Sequence, residues 1–188
     1  TKNKVTGDVW LASSVDFMSL VIRQKSQGTD NFFTNENSVL PWSVENVSFS
    51  IDKSGNTWML AGGRVFKFDE EWQDISSVDS DLDIRLFSCF SHDEIGKTYL
   101  VDHESICIID VDMTISKLNY PNELRISPIP KFISIENENI FLGFKNQGLW
   151  SYQNNQWSNI STSENNFRSN HMEVSKDQNE KIYIKTGI

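Results

Sequence analysis

Asp52-Lys53-Ser54-Gly55-Asn56-Thr57-Trp58-Met59-Leu60-Ala61-Gly62-Gly63-Arg64-Val65-Phe66-Lys67-Phe68 reads as a polar turn, a short aromatic run, a glycine pair and a second aromatic run. Short runs of aromatic and β-branched residues bounded by Gly, Asn and Asp predict antiparallel strands joined by tight turns. The glycine pair fits a reversal that needs a permissive backbone. Val47-Ser48-Phe49-Ser50-Ile51 supplies a strand before this stretch, and Trp72 and Ile75 supply an apolar anchor after it. The segment therefore predicts a unit of about four short antiparallel strands.

The same text returns along the chain. The aromatic that follows each polar turn falls at Trp10, Trp58, Tyr99, Phe141 and Tyr183, at spacings of 48, 41, 42 and 42 residues. A preceding strand is predicted at Ile84 to Ser88, Lys131 to Ile135 and Met172 to Val174. A following strand is predicted at Phe17 to Ile22, Ile106 to Ile109 and Gly148 to Tyr152. Ile115 and Leu118, then Trp157 and Ile160, repeat the trailing anchor. A four-stranded sheet of this length cannot bury both faces alone, so repeated sheets pack on one another, and radial stacking protects their edges. The predicted fold is an all-β propeller of about four repeated four-stranded antiparallel units. Their approximate bounds are 5–45, 46–82, 83–129, 130–168 and an incomplete 169–188. Both ends carry the second strand of a unit, which leaves three modes of closure: about four blades unaided, a portion of a longer propeller, or two chains completing one ring.

The text from Ile51 to Phe68 with Glu71-Trp72, and the matching text from Glu138 to Tyr152 with Asn155-Gln156-Trp157, resembles the repeats of two-component-regulator-type β-propellers. Asp177 to Gly187 resembles the first half of such a repeat. The third unit departs, with Val101-Asp102-His103-Glu104 in place of the glycine turn and no trailing tryptophan. The resemblance implies an extracytoplasmic sensory domain or a stand-alone binding protein. No kinase, receiver or DNA-binding segment accompanies it.

Composition narrows the partners. The 188 residues include 17 Lys and Arg against 26 Asp and Glu, a net charge of -9. That sign disfavours nucleic acid and anionic membrane, and it suits a basic protein. No run of 18 apolar residues occurs, so direct membrane insertion is not expected. The N-terminus leads into polar text, without the apolar stretch of a leader. Cys89 and Cys107 lie in apolar strand-like runs and read as small buried thiols rather than a disulfide framework.

Chemistry is sparse. His92, His103 and His171 lack zinc spacing, and neither a nucleophile elbow nor a phosphate loop occurs. No cofactor is expected, and calcium finds abundant acidic residues without a calcium-loop motif. Acidic residues concentrate at Asp69, Glu70, Glu71 and Asp74, with Asp79, Asp81 and Asp83, and again from Asp93 to Asp112. The repeated aromatics are expected to pack between blades, whereas Trp42, in an interblade stretch, is the leading exposed recognition aromatic, followed by Trp150. The candidate binding residues are accordingly Trp42, Trp150, Glu70, Glu71, Asp74, Asp102, His103 and Glu104. Asn46 and Asn159 head Asn-x-Ser sequences, formal glycosylation acceptors in a eukaryotic secretory setting. The reading is a noncatalytic protein-interaction module, with an acidic inhibitor or immunity-type protein as one form of it. The alternative is a sensory domain for a carbohydrate or small ligand, extracytoplasmic if the family resemblance holds.

Overall fold

In a computed structural model of the chain, the described residues are 1–15, 19–41, 47–78, 82, 87–124, 130–136, 138–144, 147–160, 172–176 and 182–186. The fold is all-β. β1 (Val9–Val15), β2 (Ser19–Ser26) and β3 (Thr29–Phe33) form the first sheet. β4 (Val47–Ile51), β5 (Thr57–Ala61), β6 (Arg64–Asp69) and β7 (Glu71–Asp74) form the second, and a 3-10 turn, Ile75–Ser77, follows. β8 (Cys89–His92), β9 (Thr98–Val101), β10 (Ser105–Ile109) and β11 (Ile115–Asn119) form the third. β12 (Pro130–Glu136), β13 (Asn139–Phe144), β14 (Gly148–Gln153) and β15 (Gln156–Asn159) form the fourth, and β16 (Met172–Lys176) pairs with β17 (Ile182–Thr186). Within each sheet the strands lie in chain order as an antiparallel meander, and none of these sheets closes into a barrel. This is the repeated sheet architecture of an open or partial propeller.

Turn chemistry explains the hairpins. Ala61 pairs with Arg64, and the two loop residues between them, Gly62 and Gly63, have φ of 60° and 78°. Two consecutive positive φ values match the right-handed twist of the flanking strands, which explains the glycine pair. Asn154 and Asn155 take the same conformation, at 49° and 61°, between Gln153 and Gln156. Asparagine tolerates this region better than other side chains that carry a Cβ.

The turn between the first two strands of a sheet uses a carboxylate. In the second sheet Asp52 Oδ1 accepts from the Asn56 backbone N–H at 2.8 Å, and Asp52 Oδ2 accepts from Trp58 Nε1 at 2.9 Å. In the third, Asp93 Oδ1 accepts from the Lys97 N–H at 2.9 Å and Asp93 Oδ2 from the Tyr99 hydroxyl at 3.0 Å. One aspartate thus closes the turn and satisfies the polar head of the marker aromatic. The fourth sheet is the instructive contrast. Glu136 pairs directly with Asn139, the turn is one residue shorter, and the marker is Phe141, which has no polar head to satisfy.

A further regularity emerges from the register. Ser50 lies opposite Trp58, Ser91 opposite Tyr99, Ser134 opposite Phe141 and Ser175 opposite Tyr183. The first strands of the second, third and fourth sheets therefore place a serine beside the marker aromatic, where a small residue leaves room for the ring.

The chain divides into two compact units, Thr1–Phe87 with Glu94–Gly96, and Ser88–Asp93 with Lys97–Ile188. In the first unit, Trp10, Leu20, Ile22, Leu40, Met59, Ala61, Phe66 and Trp72 form a buried cluster, flanked by Phe33, Val47, Phe49 and Phe68. Trp10 is 1% exposed and meets Trp72 edge-on at 5.2 Å and Phe68 at 4.7 Å. In the second unit Tyr99, Val101, Ile106 and Tyr120 pack with Ile133, Ile135, Ile140, Leu142 and Phe144. Trp157 lies at its edge and donates its indole N–H to the Asn119 carbonyl at 3.2 Å, tying the fourth sheet to the last residue of the third.

Several expected boundaries move. The first strand of the third sheet is Cys89–His92; Phe87 and Ser88 precede it, and residues 84–86 lie outside the described residues. His92 closes this strand, and its Nδ1 lies 3.0 Å from Thr98 Oγ1 across the pair. The alternation of Cys89, Phe90, Ser91 and His92 carried the strand, but the polar pair at its end disguised it. β2 runs on through Arg23, Gln24 and Lys25, which are too polar to announce a strand, and β3 adds a fourth-strand equivalent.

Candidate functional site

The acidic hairpin between β6 and β7 brings exposed candidate residues together. Asp69 and Glu71 face each other across the turn and Glu70 alone reverses the chain, at φ 61°. A left-handed conformation at a residue with a Cβ is uncommon. Asp69, Glu70 and Glu71 are all exposed, and none forms an ion pair among the described residues. Packing supports the tip from below: Phe68 and Trp72, paired across the two strands, sit in the aromatic cluster with centroids 5.3 Å apart. One buried and one half-buried aromatic thus hold three adjacent carboxylates in water.

Asp74 does not join them. It ends β7 at the opposite end from Glu71, and Arg64 grips it, with Nη2 2.7 Å and Nε 3.0 Å from Oδ2. Asp102 is buried at 1% exposure, and its Oδ1 accepts from the Glu104 and Ser105 backbone N–H groups, each at 2.7 Å. The carboxylate fills the turn between β9 and β10 in place of a glycine, while the Asp102 carbonyl accepts from Tyr120 Oη at 3.1 Å. His103 and Glu104 remain exposed at that turn, with Nε2 and Oε1 3.5 Å apart, a contact that becomes an ion pair when the imidazole is protonated. Trp150 is half-buried against the core of the second unit and donates its indole N–H to the Gln147 carbonyl at 3.2 Å. Trp42 and His171 lie outside the described residues, as do Asp79, Asp81, Asp83 and the connection 161–170.

The structure consequently separates the candidates within their sheets. Glu70 and Glu71 share one hairpin, His103 and Glu104 share another turn, and Asp74, Asp102 and Trp150 serve local architecture. Among the described residues no group of three or more His, Cys, Asp and Glu is arranged to hold a metal ion, and no helix is long and apolar enough to cross a membrane.

The cysteines are free and lie on opposite faces of the third sheet, since Cys89 pairs with Val101 and Cys107 with the neighbouring Leu100. Burial pushes the Cys89 thiol up to about 12, with the Ser88 hydroxyl and Lys131 acting in the opposite sense. The residue as a whole is only half-buried, but its sulfur end is enclosed. A thiol harder to ionise when folded stabilises the fold fully below its unfolded value, 9.0, and loses that contribution as pH rises toward 12. The native protein is expected to resist Ellman's reagent at pH 8 and to lose stability above pH 9, with part of that loss absent in Cys89→Ala. Rapid labelling of Cys89 in the native state would contradict this assignment.

Among known proteins, likeness lies in the fold. No family model matches the chain, and no curated protein does. The extracellular domain of a one-component system from B. thetaiotaomicron superposes with a TM-score of 0.68 at 16% identity, over 95% of this chain and 25% of that one. The extracellular domain of a hybrid two-component system from the same organism gives 0.63 at 12%, over 99% and 25%. Virginiamycin B lyase from Staphylococcus aureus gives 0.59 at 12%, over 97% and 64%. The chain thus spans about a quarter of the sensor domains and under two thirds of that lyase. The fold is one that sensor domains and a lyase both use, and fold alone does not assign function.

Proposed function

We propose that the chain is a noncatalytic recognition module that binds a basic protein partner through the acidic β6–β7 hairpin. The observation that carries this reading is the exposed run Asp69-Glu70-Glu71, seated on half-buried Phe68 and buried Trp72 and unneutralised by a neighbouring cation among the described residues. A rigid exposed anionic tip steers a cationic partner and discriminates against acidic ones, an effect that weakens with salt. An inhibitor or immunity-type protein is the form in which one basic partner would be held stoichiometrically.

The test is affinity capture from extract of the source organism, read by mass spectrometry, with the parent chain beside Glu70→Gln/Glu71→Gln. The expected result is one basic, salt-sensitive partner whose capture falls about tenfold with the double variant, a loss of about 1.4 kcal/mol. Capture that ignores both salt and the variant would remove the hairpin from the site. The second reading, an extracytoplasmic sensory domain for a carbohydrate or small ligand, draws support from the fold shared with extracellular sensor domains. Glycan binding without a protein partner would favour it.

A further inference from the structure

The last hairpin of each of the first four sheets passes through a left-handed residue. Gly28 takes that place between β2 and β3, Glu70 between β6 and β7, and Asn154 and Asn155 between β14 and β15. Glycine and asparagine suit the conformation. Between β10 and β11 the place falls to Met113, at φ 67°. The Met113 N–H donates to the Asp110 carbonyl and the Asp110 N–H to the Thr114 carbonyl, each at 2.9 Å. Val111, Asp112 and Met113 therefore form a three-residue hairpin loop whose left-handed third position ordinarily takes glycine. Among the described residues, Met113 is the one apolar side chain at a positive φ.

Val111 is 67% exposed and Met113 40%, so the loop holds two apolar side chains in water. Its polar groups fix the backbone instead of covering them. Asp110 Oδ1 accepts from the Val111 N–H at 2.7 Å, and Asp110 Oδ2 meets Lys97 Nζ at 2.7 Å. Asp112 Oδ1 accepts from the Thr114 N–H at 3.0 Å and from its hydroxyl at 2.7 Å. A rigid loop that places an exposed thioether where local preference asks for glycine has the form of a contact surface, and methionine packs adaptably against a partner.

Charge selects the occupant. Asp110, Asp93 and Glu138 together hold the Lys97 ammonium above its usual value, and Asp112 forms no ion pair among the described residues. Four carboxylates thus stand with one ammonium beside the two apolar side chains. A second copy of this chain, with its net charge of -9, brings like charge to the tip, whereas a basic segment brings the complement. We propose that the Val111–Met113 tip of the β10–β11 hairpin docks a basic amphipathic segment of a partner protein, whose apolar side chains pack on Val111 and Met113 and whose Lys or Arg side chains face Asp112 and Glu138. The tip belongs to the third sheet and the acidic hairpin to the second, so the proposal does not rest on the function assigned to that hairpin.

The probe is a capped hexapeptide alternating Leu and Lys, compared with one alternating Ser and Lys and one alternating Leu and Glu. The full chain carries Glu70→Gln/Glu71→Gln, so that the acidic hairpin does not compete, and the readout is the Met113 methyl signal in an NMR titration. The Leu and Lys peptide should shift that signal saturably, with an affinity about tenfold or more above both comparison peptides. Adding Val111→Ser/Met113→Asn should weaken binding about tenfold, read at the Asp112 and Thr114 amides, without lowering the melting temperature, because asparagine suits the left-handed position. Asp112→Asn, which keeps an oxygen for Thr114, should weaken binding about threefold. No saturable shift, equal affinity for the three peptides, or binding indifferent to Val111→Ser/Met113→Asn would overturn the proposal. So would sedimentation showing a dimer that Val111→Ser/Met113→Asn disperses, because a second copy would then own the tip.

Discussion

Trp10→Ala is expected to lower the stability of the chain by roughly 3–5 kcal/mol, the cost of opening a large cavity in a packed core. Trp10 is the largest fully buried side chain among the described residues, and its ring contacts Phe33, Phe49, Phe68 and Trp72 at centroid distances from 4.7 to 6.5 Å. Those neighbours come from β3, β4, β6 and β7, so the cavity opens between two sheets that do not collapse independently. The indole N–H has no hydrogen-bond partner among the described residues despite its burial. Trp10→Phe is accordingly expected to cost much less, because it keeps most ring contacts and removes an unsatisfied donor. Denaturant midpoints followed by far-UV circular dichroism separate the outcomes. An alanine variant with the parent's midpoint would show that the cluster is not what joins these sheets.

Asp52→Ala is expected to cost roughly 2–4 kcal/mol, because one carboxylate satisfies several donors, the buried indole N–H of Trp58 among them. Asp52 accepts from the Asn56 backbone at 2.8 Å, from Asn56 Nδ2 at 2.8 Å and from Trp58 Nε1 at 2.9 Å. Trp58 is 4% exposed, so water does not readily replace the lost acceptor. The contribution of the indole can be isolated by repeating the substitution in a Trp58→Phe background. There Asp52→Ala should cost about 1 kcal/mol less, since the indole donor is no longer present to lose its acceptor, and the difference is the coupling between the two residues. Equal costs in both backgrounds would mean that Asp52 acts on the turn alone. Phe141 is the natural counterpart of the Phe variant, with a shorter turn and no aspartate closing it.

The hairpins were legible because their signals are local. Gly62-Gly63 announces a two-residue reversal, and the spacing of Trp10, Trp58, Tyr99, Phe141 and Tyr183 reports the repeat without reference to distant contacts. Strand ends were less legible. Arg23, Gln24 and Lys25 belong to β2 although none is a typical strand residue, since cross-strand pairing with Asn31 and Asp30 supports them. Gln24, for example, donates to Asp8 at 3.0 Å and accepts from Asn31 at 3.1 Å. The serine opposite Trp58, Tyr99, Phe141 and Tyr183 also had a signal, an apolar residue, Ser, any residue and then Asp or Glu, as in Phe49-Ser50-Ile51-Asp52 and Phe90-Ser91-His92-Asp93. Its meaning required the register.

The candidate site was legible only as composition. Asp69, Glu70, Glu71, Asp74 and Asp102 look alike in a list of acids, yet they meet different fates. The first three stand in water at a hairpin tip, Asp74 is gripped by Arg64, and Asp102 is consumed by the backbone of its own turn. A side chain's charge is a property of its residue type, but whether that charge faces solvent depends on which donors the folded chain brings to it.

The repeat, the strand periodicity and the turn types were therefore determined by the sequence itself, because each depends on residues close together along the chain and on their backbone preferences. Tertiary structure alone decided which carboxylates stand in water and which aromatics fill the space between sheets. Those outcomes depend on register and packing between segments tens of residues apart, where burial and hydrogen-bond satisfaction override the chemistry of any single residue.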